Sequence, residues 1–257
     1  MFDNVCRYLA ERYSPDIASW LLGRPIAFVK LDPTELSLQP IRADSLILLE
    51  SEELIFHIEF QTAPDGAIPY RMLDYRTRGY RRYPGKEMRQ VVVYLRETNS
   101  PLVYQDAFEL SRTRHQFDVI RIWEEPAEQF LGTPGLLPFA SLARSDNRAG
   151  VLRQVSQQVE GMSDRTQQSD IAASAGVLAG LVLSKEVIGL ILRSDIMKES
   201  VIYQEIQKQG IEIGKDDKTR ELALRMLENG IDTSQVVAIT GLTLEQVLAL
   251  QSPPPEG

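Results

Sequence analysis

The sequence predicts an α/β fold: a mixed central sheet flanked by helices, followed by a helical C-terminal segment. Three observations carry that expectation. Two short runs rich in Leu, Ile and Phe, 42–50 and 54–61, are bounded by polar or turn residues and read as a strand hairpin. Apolar positions recur at helical spacing before it, over 2–22, and a second helix follows from Pro69 to about Tyr83. A continuous apolar run, 90–95, then reads as a strand buried on both faces, and the chain from Ala149 onward is helical by pattern.

Taken in order, Val5, Leu9, Tyr13, Ile17, Trp20 and Leu21 give residues 2–22 one helix or two, broken at Pro15 and ended by Gly23. Phe28 to Leu31 starts a first strand, and Glu35 to Leu38 continues it or turns. The hairpin needs only Ser51 and Glu52 as its turn if Glu50 pairs with Glu53. In that register Asp44 faces Glu59, and the period of two puts Ile47, Leu49, Leu54, Phe56, Ile58 and Phe60 on one apolar face. Asp44, His57, Glu59 and Gln61 share the other face with Leu46 and Leu48.

Two carboxylates directly opposite on a sheet repel. A hard divalent cation offsets that repulsion, and Mg²⁺ is commonly held by one or two carboxylates with waters and phosphate oxygens. The same spacing also fits a solvated hairpin face whose acids never meet. His57 reads as a neutral hydrogen-bonding group near the site or as a partly buried sheet histidine. No Cys or second His stands at zinc-like spacing.

After Gln61 the Thr-Ala-Pro-Asp-Gly run is a turn, and Pro69 suits the first turn of the next helix. From Tyr70 to Gln90 seven Arg or Lys stand against two acids, a local charge of +5, with Tyr70, Tyr75, Tyr80 and Tyr83 interleaved. Cations neutralise phosphates and flat rings stack on unpaired bases. Arg71, Tyr75 and Arg78 are the candidate nucleic-acid contacts; the alternative is a solvated helix face with Tyr75 packed on the sheet. Phe108 to Leu110 and Phe117 to Trp123 suggest two further strands, and Gly132-Thr-Pro-Gly135 is a turn without the lysine of a phosphate loop.

Composition bounds the rest. The 257 residues suffice for one enzyme-sized core with an appended segment, and 43% hydrophobic with 25% charged residues is ordinary for a globular protein. One cysteine, Cys6, permits no internal disulfide and suits a reducing compartment. No signal peptide is visible, and the apolar stretch Ala172 to Leu192 is interrupted by Lys185 and Glu186, so the chain reads as cytoplasmic with no membrane partner. A net charge of -8 argues against indiscriminate coating of nucleic acid, while local charge within a Debye length still permits contact with a strand.

An Asp at the start of one strand with Glu-x-Gln late in the next resembles the PD-(D/E)XK nuclease superfamily. More narrowly, Arg-Ala-Asp at 42–44, Ile-Glu-Phe-Gln-Thr-Ala-Pro-Asp at 58–65 and Tyr70-Arg71-Met72-Leu73-Asp74-Tyr75 look like the Rpn family of recombination-promoting nucleases, often labelled transposases. The opening Phe2 to Glu11 and the stretch Ile239-Thr240-Gly241-Leu242-Thr243 are similar to its relatives as well. The resemblance implies a PD-(D/E)XK core and a cytoplasmic Mg²⁺-dependent DNA endonuclease linked to recombination or mobile elements, with Mn²⁺ as substitute cation. Asp44, Glu59 and Gln61 would then be catalytic, and Asp44, Glu59 and the Phe60 carbonyl would hold the metal. Glu11 would be an accessory acid or simply a solvated side chain. The superfamily's lysine is Gln61 here; being neutral, it can orient water or a phosphate oxygen but cannot act as the base. That change also suits the alternative, an inactive nuclease fold kept for nucleic-acid binding or protein assembly.

The expected division is a core over 1–145, a helical extension over 146–214, a helical hairpin over 215–250 and a Pro-rich disordered tail over 251–257. Within the hairpin, Asn229-Gly230 closes one helix, Asp232 or Thr233 caps the next, Gly241 ends it, and Thr243-x-x-Gln246 is a capping box. Two short helices joined at Gly241 have the outline of a helix-turn-helix. The last carries no Arg or Lys to read base edges, which favours an interaction or homo-oligomerisation hairpin.

Overall fold

The computed structural model describes residues 2–31 and 46–251; for Leu46, Gln251 and many residues of 201–217 it describes the backbone alone. It is a mixed α/β protein with a five-stranded mixed sheet and a separate C-terminal helical unit. Helices α1 (Phe2–Arg12) and α2 (Ser14–Leu22) precede β1 (Val29–Lys30), β2 (Leu46–Glu50) and β3 (Leu54–Gln61). Then come α3 (Ile68–Arg82), β4 (Glu87–Tyr94), a ribbon of β5 (Ala107–Leu110) and β6 (Thr113–Gln116), and β7 (Asp118–Arg121). The helices α4 (Arg148–Glu160), α5 (Arg165–Ala179), α6 (Lys185–Ile191) and α7 (Ser194–Met197) follow. Last are α8 (Val201–Glu228), α9 (Thr233–Thr240) and α10 (Leu244–Gln251).

The sheet runs β1-β2-β3-β4-β7, antiparallel through β3 and parallel from β3 to β7. A parallel partner requires a crossover, and α3 supplies it between β3 and β4. Ile68, Met72, Tyr75 and Gly79 are its buried stripe, recurring every three or four residues as helix geometry demands. Pro69 opens it without leaving a needed N–H unpaired. Lying in the middle of the sheet, β3 is buried from Leu54 to Phe60, so neither of its faces is solvated.

The two faces of β3 meet different partners. Phe56 lies against Phe28, and Phe60 stacks on Phe139, their ring centroids 5.7 Å apart in each pair. Ile55 packs instead with Leu31, Leu48, Tyr75 and Met88, while Ile68 and Met72 meet Val92 and Tyr94. One face thus rests on the turn-rich segment 137–142 and the other on α3. The helix α5 packs against that segment and against α1.

The hairpin register differs from the expected one by two residues. Glu50 pairs with Ile55, Leu48 with His57 and Leu46 with Glu59. Ser51 is the reason: its N–H donates to the Leu54 carbonyl at 2.9 Å and its Oγ accepts from the Leu54 N–H at 3.2 Å, so Glu52 and Glu53 form the turn. A shift of two keeps every side chain on its expected face but gives Glu59 Leu46 as its cross-strand neighbour rather than Asp44. Asp44, and the stretch from Glu35 to Leu38, lie outside the described residues.

Other expectations need smaller corrections. The strand expected over Phe117 to Trp123 is limited to Asp118–Arg121, and Ile122–Glu124 tightens into a 3-10 turn. Phe108 and Leu110 belong to the separate β5–β6 ribbon, not to the main sheet.

The chain divides into two compact units at Tyr203 and Gln204, so the segment 146–214 falls partly in each. In the second, Ala223, Met226, Val236 and Val247 form a small core flanked by Leu227, Ile231, Val237, Leu242 and Leu250. The expected caps are present. Asp232 Oδ1 accepts from Ser234 N–H at 2.8 Å. Thr243 and Gln246 bond each other's backbone N–H at 2.9 and 3.2 Å. Gly241, at φ 73°, takes the left-handed conformation that ends α9 at little steric cost. The tail from 252 lies outside the described residues. Among the described residues no single helix is long and apolar enough to cross a membrane.

Candidate active site

The site forms where β3 ends and α3 begins. Alternation on β3 sends His57, Glu59 and Gln61 toward α3, and the first turns of α3 bring Arg71 over them. Glu59 is only 2% exposed. Its Oε1 accepts a hydrogen bond from Gln61 Nε2 at 2.9 Å and lies 2.7 Å from Arg71 Nη2. Arg71 also reaches Asp65 Oδ2 at 3.1 Å, and Asp65 Oδ1 accepts the Ala67 N–H at 2.8 Å. One guanidinium therefore bridges a strand carboxylate and a loop carboxylate.

The second oxygen, Glu59 Oε2, has no hydrogen-bond partner. His57 Nε2 lies 3.8 Å from it, beyond hydrogen-bond reach and itself unpartnered. Burial pushes the Glu59 carboxyl above its usual pKa; the Arg71 charge and the Gln61 hydrogen bond oppose this without cancelling it. His57 is fully buried, and its pKa is lowered to about 3 by that burial and then by the Arg71 and His115 charges, so its ring is neutral. Tyr94, one strand over and paired with Gln61, also buries an unpartnered hydroxyl, and the nearby Glu59 and Asp65 charges add to the burial that raises its pKa.

Of the polar atoms left over, the free Glu59 oxygen is of the chemical type that a hard cation accepts, Mg²⁺ commonly taking one or two carboxylates. Among the described residues no group of three or more His, Cys, Asp or Glu side chains is placed to hold a metal ion.

The other candidates are distributed unevenly. Phe60 turns its ring to the opposite face, against Phe139, so its side chain takes no part in the site. Arg78 is held by Asp74, its Nε 2.9 and 3.0 Å from the two carboxylate oxygens. Tyr75 is 4% exposed, its ring edge-on to His57 at 5.1 Å. It therefore cannot stack on a base, and the exposed rings of this helix are Tyr70 and Tyr80. Glu11 pairs with Lys30 at 2.9 Å.

Four residues of this neighbourhood were not singled out from sequence: Asp65, Gln90, Tyr94 and His115. Gln90 carried a readable signal, being the amide that opens the apolar run 90–95. The other three depend on tertiary neighbours.

Fold and site together define a mixed α/β protein with a buried acid–amide–guanidinium cluster and a C-terminal helical unit. Residues 217–252 match the family model described as the Rpn/YhgA-like nuclease family, C-terminal HTH domain. No curated protein and no solved structure matches the chain. The helix-turn-helix outline, set aside for want of basic residues in the last helix, is thus the description this match carries.

Proposed function

We propose that the chain is a divalent-metal-dependent DNA nuclease of the PD-(D/E)XK type, hydrolysing phosphodiester bonds at the end of β3. The observation that carries the reading is Glu59, a buried carboxylate with one oxygen held by Gln61 and Arg71 and the other without a donor. The match of residues 217–252 to the C-terminal domain of a nuclease family supports it independently.

In this reading Glu59, the Phe60 carbonyl and Asp44 hold Mg²⁺, or Mn²⁺ in its place. Asp44 enters on sequence alone. When bound, the cation supplies charge against the phosphate and lowers the pKa of water. Gln61 fixes the Glu59 carboxylate through its amide N–H and offers no base. Arg71, a third exposed, stands between Glu59 and solvent, where a phosphate oxygen can share its guanidinium. Arg78 serves the phosphate backbone if it leaves Asp74. The C-terminal domain contributes DNA binding, and any role in recombination or at mobile elements rests on the family alone.

One observation favours a second reading. Arg71 already neutralises Glu59, as it would in a nuclease fold retained only for binding or assembly, including homo-oligomerisation. Cleavage of plasmid and single-stranded DNA with Mg²⁺ or Mn²⁺ decides between them, comparing wild type with Asp44→Ala and Glu59→Gln. Cleavage lost in both variants, with circular dichroism unchanged, is the expected result. Equal cleavage in all three would sink the assignment, and none in wild type would favour the binding fold.

A further inference from the structure

Beneath the site runs a chain of three polar side chains, two on the central strands β3 and β4 and one on the β5–β6 ribbon. His57 and Gln90 sit opposite each other on β3 and β4, 0% and 4% exposed. Gln90 Nε2 lies 2.9 Å from His57 Nδ1 and 2.8 Å from the Met72 carbonyl of α3. Gln90 Oε1 lies 2.8 Å from His115 Nε2 on β6.

These contacts admit one arrangement of protons. The Met72 carbonyl can only accept, so the Gln90 atom facing it is the amide nitrogen. That nitrogen spends its second proton on His57 Nδ1, which must then accept. A neutral imidazole carries one proton, so that of His57 is on Nε2, the atom facing Glu59 Oε2. His115 completes the arrangement by donating from its Nε2 to the amide oxygen.

We propose that Gln90 and His115 are positioning residues that lock His57 as its Nε2–H tautomer, making it a hydrogen-bond donor at the edge of Glu59 and barring its Nε2 from ligating metal. The functional part of this inference rests on the metal reading of Glu59. Ligating carboxylates are themselves held by hydrogen bonds, and removing such outer partners typically weakens metal binding about 10–100-fold. At 3.8 Å the donor stands short of a bond. Rotation of the Glu59 carboxylate would be needed to bring the two within hydrogen-bond reach. The fold has no need of this chain: an apolar pair at 57 and 90 would fill the same interior without two buried polar side chains to satisfy.

The test uses the full chain and reads the ring directly, through long-range ¹H–¹⁵N spectra of the histidines, alongside calorimetric titration with Mn²⁺. Wild type is expected to show His57 with a bare Nδ1 and a protonated Nε2. Gln90→Leu should give a mixture of tautomers and bind Mn²⁺ about tenfold or more weakly, with its unfolding curve still cooperative. His115→Ala, at a half-buried and more tolerant position, should loosen the ring in the same direction, and His115→Gln, which keeps a donor for the amide oxygen, should restore it. A proton on Nδ1 in wild type, or a ring unchanged in Gln90→Leu, overturns the lock. A locked ring in a wild type that binds no Mn²⁺ overturns the metal reading and the functional half of the inference with it, leaving the two failures distinguishable.

Discussion

Removing the Arg71 guanidinium isolates Glu59, and the cost follows from how the two are buried. Losing one member of a fully buried pair costs about 3–5 kcal/mol, whereas an exposed pair contributes about 1 kcal/mol or less. Glu59 is 2% exposed and Arg71 33% exposed, so Arg71→Met should cost about 2–3 kcal/mol at neutral pH. The pH dependence has a definite sign. Burial already raises the Glu59 carboxyl above its unfolded value, and Arg71 is the first of the groups opposing that rise. A carboxyl with a raised native pKa favours folding below its unfolded pKa, and that contribution is lost as pH climbs through the native value. Without Arg71 the native value rises further, so the variant's deficit is smallest near pH ~4, where Glu59 is protonated, and largest above the raised pKa. Urea unfolding followed by the fluorescence of Trp20 and Trp123, both in the first compact unit, measures it. A deficit equal at both ends of the range, or larger in acid, would refute the pairing as the source.

Two further predictions concern the frame around the site. A methyl group on Gly135 would sit 2.4 Å from Tyr13 Cβ and 2.8 Å from Asp16, so Gly135→Ala should destabilise the first unit by about 1–3 kcal/mol, read as a lowered urea midpoint. It should also strain the 2.9 Å hydrogen bond from Gly135 N–H to Asp16 that ties this turn to α2. Cys6 is fully buried and burial pushes its thiol pKa well up, so a thiol-specific reagent should label it only at the rate of unfolding; rapid labelling in native buffer would contradict the packing of α1.

The elements that could be read from sequence are those whose signals are local. Pro69 and the Met72, Tyr75, Gly79 stripe place α3, and Thr243 with Gln246 places the start of α10, because caps and helical periodicity act over a few residues. Register was harder. The expected and observed pairings differ by two residues, and a period of two cannot tell them apart, since both send Ile47 and Phe56 to the same face. Only the side chain of Ser51, which closes the turn, distinguishes them. The ion pair of Glu59 with Arg71, and the alignment of His57 with Gln90, arise from the α3 crossover and the parallel β3–β4 pairing, which no local pattern encodes. Tyr75 illustrates the limit. Its place among arginines suggested a base-stacking ring, but its angular position on α3 puts it on the buried stripe.

The central claim is that the Glu59 carboxylate takes a divalent cation, and calorimetric titration of Mn²⁺ into wild type and Glu59→Gln tests it most directly. The substitution keeps the shape of the side chain and a carbonyl oxygen for Gln61 while removing the charge. Saturable binding by wild type, weakened at least about tenfold in Glu59→Gln with the unfolding curve retained, is the predicted result. Equal affinity in the two proteins, or no binding by either, would contradict it.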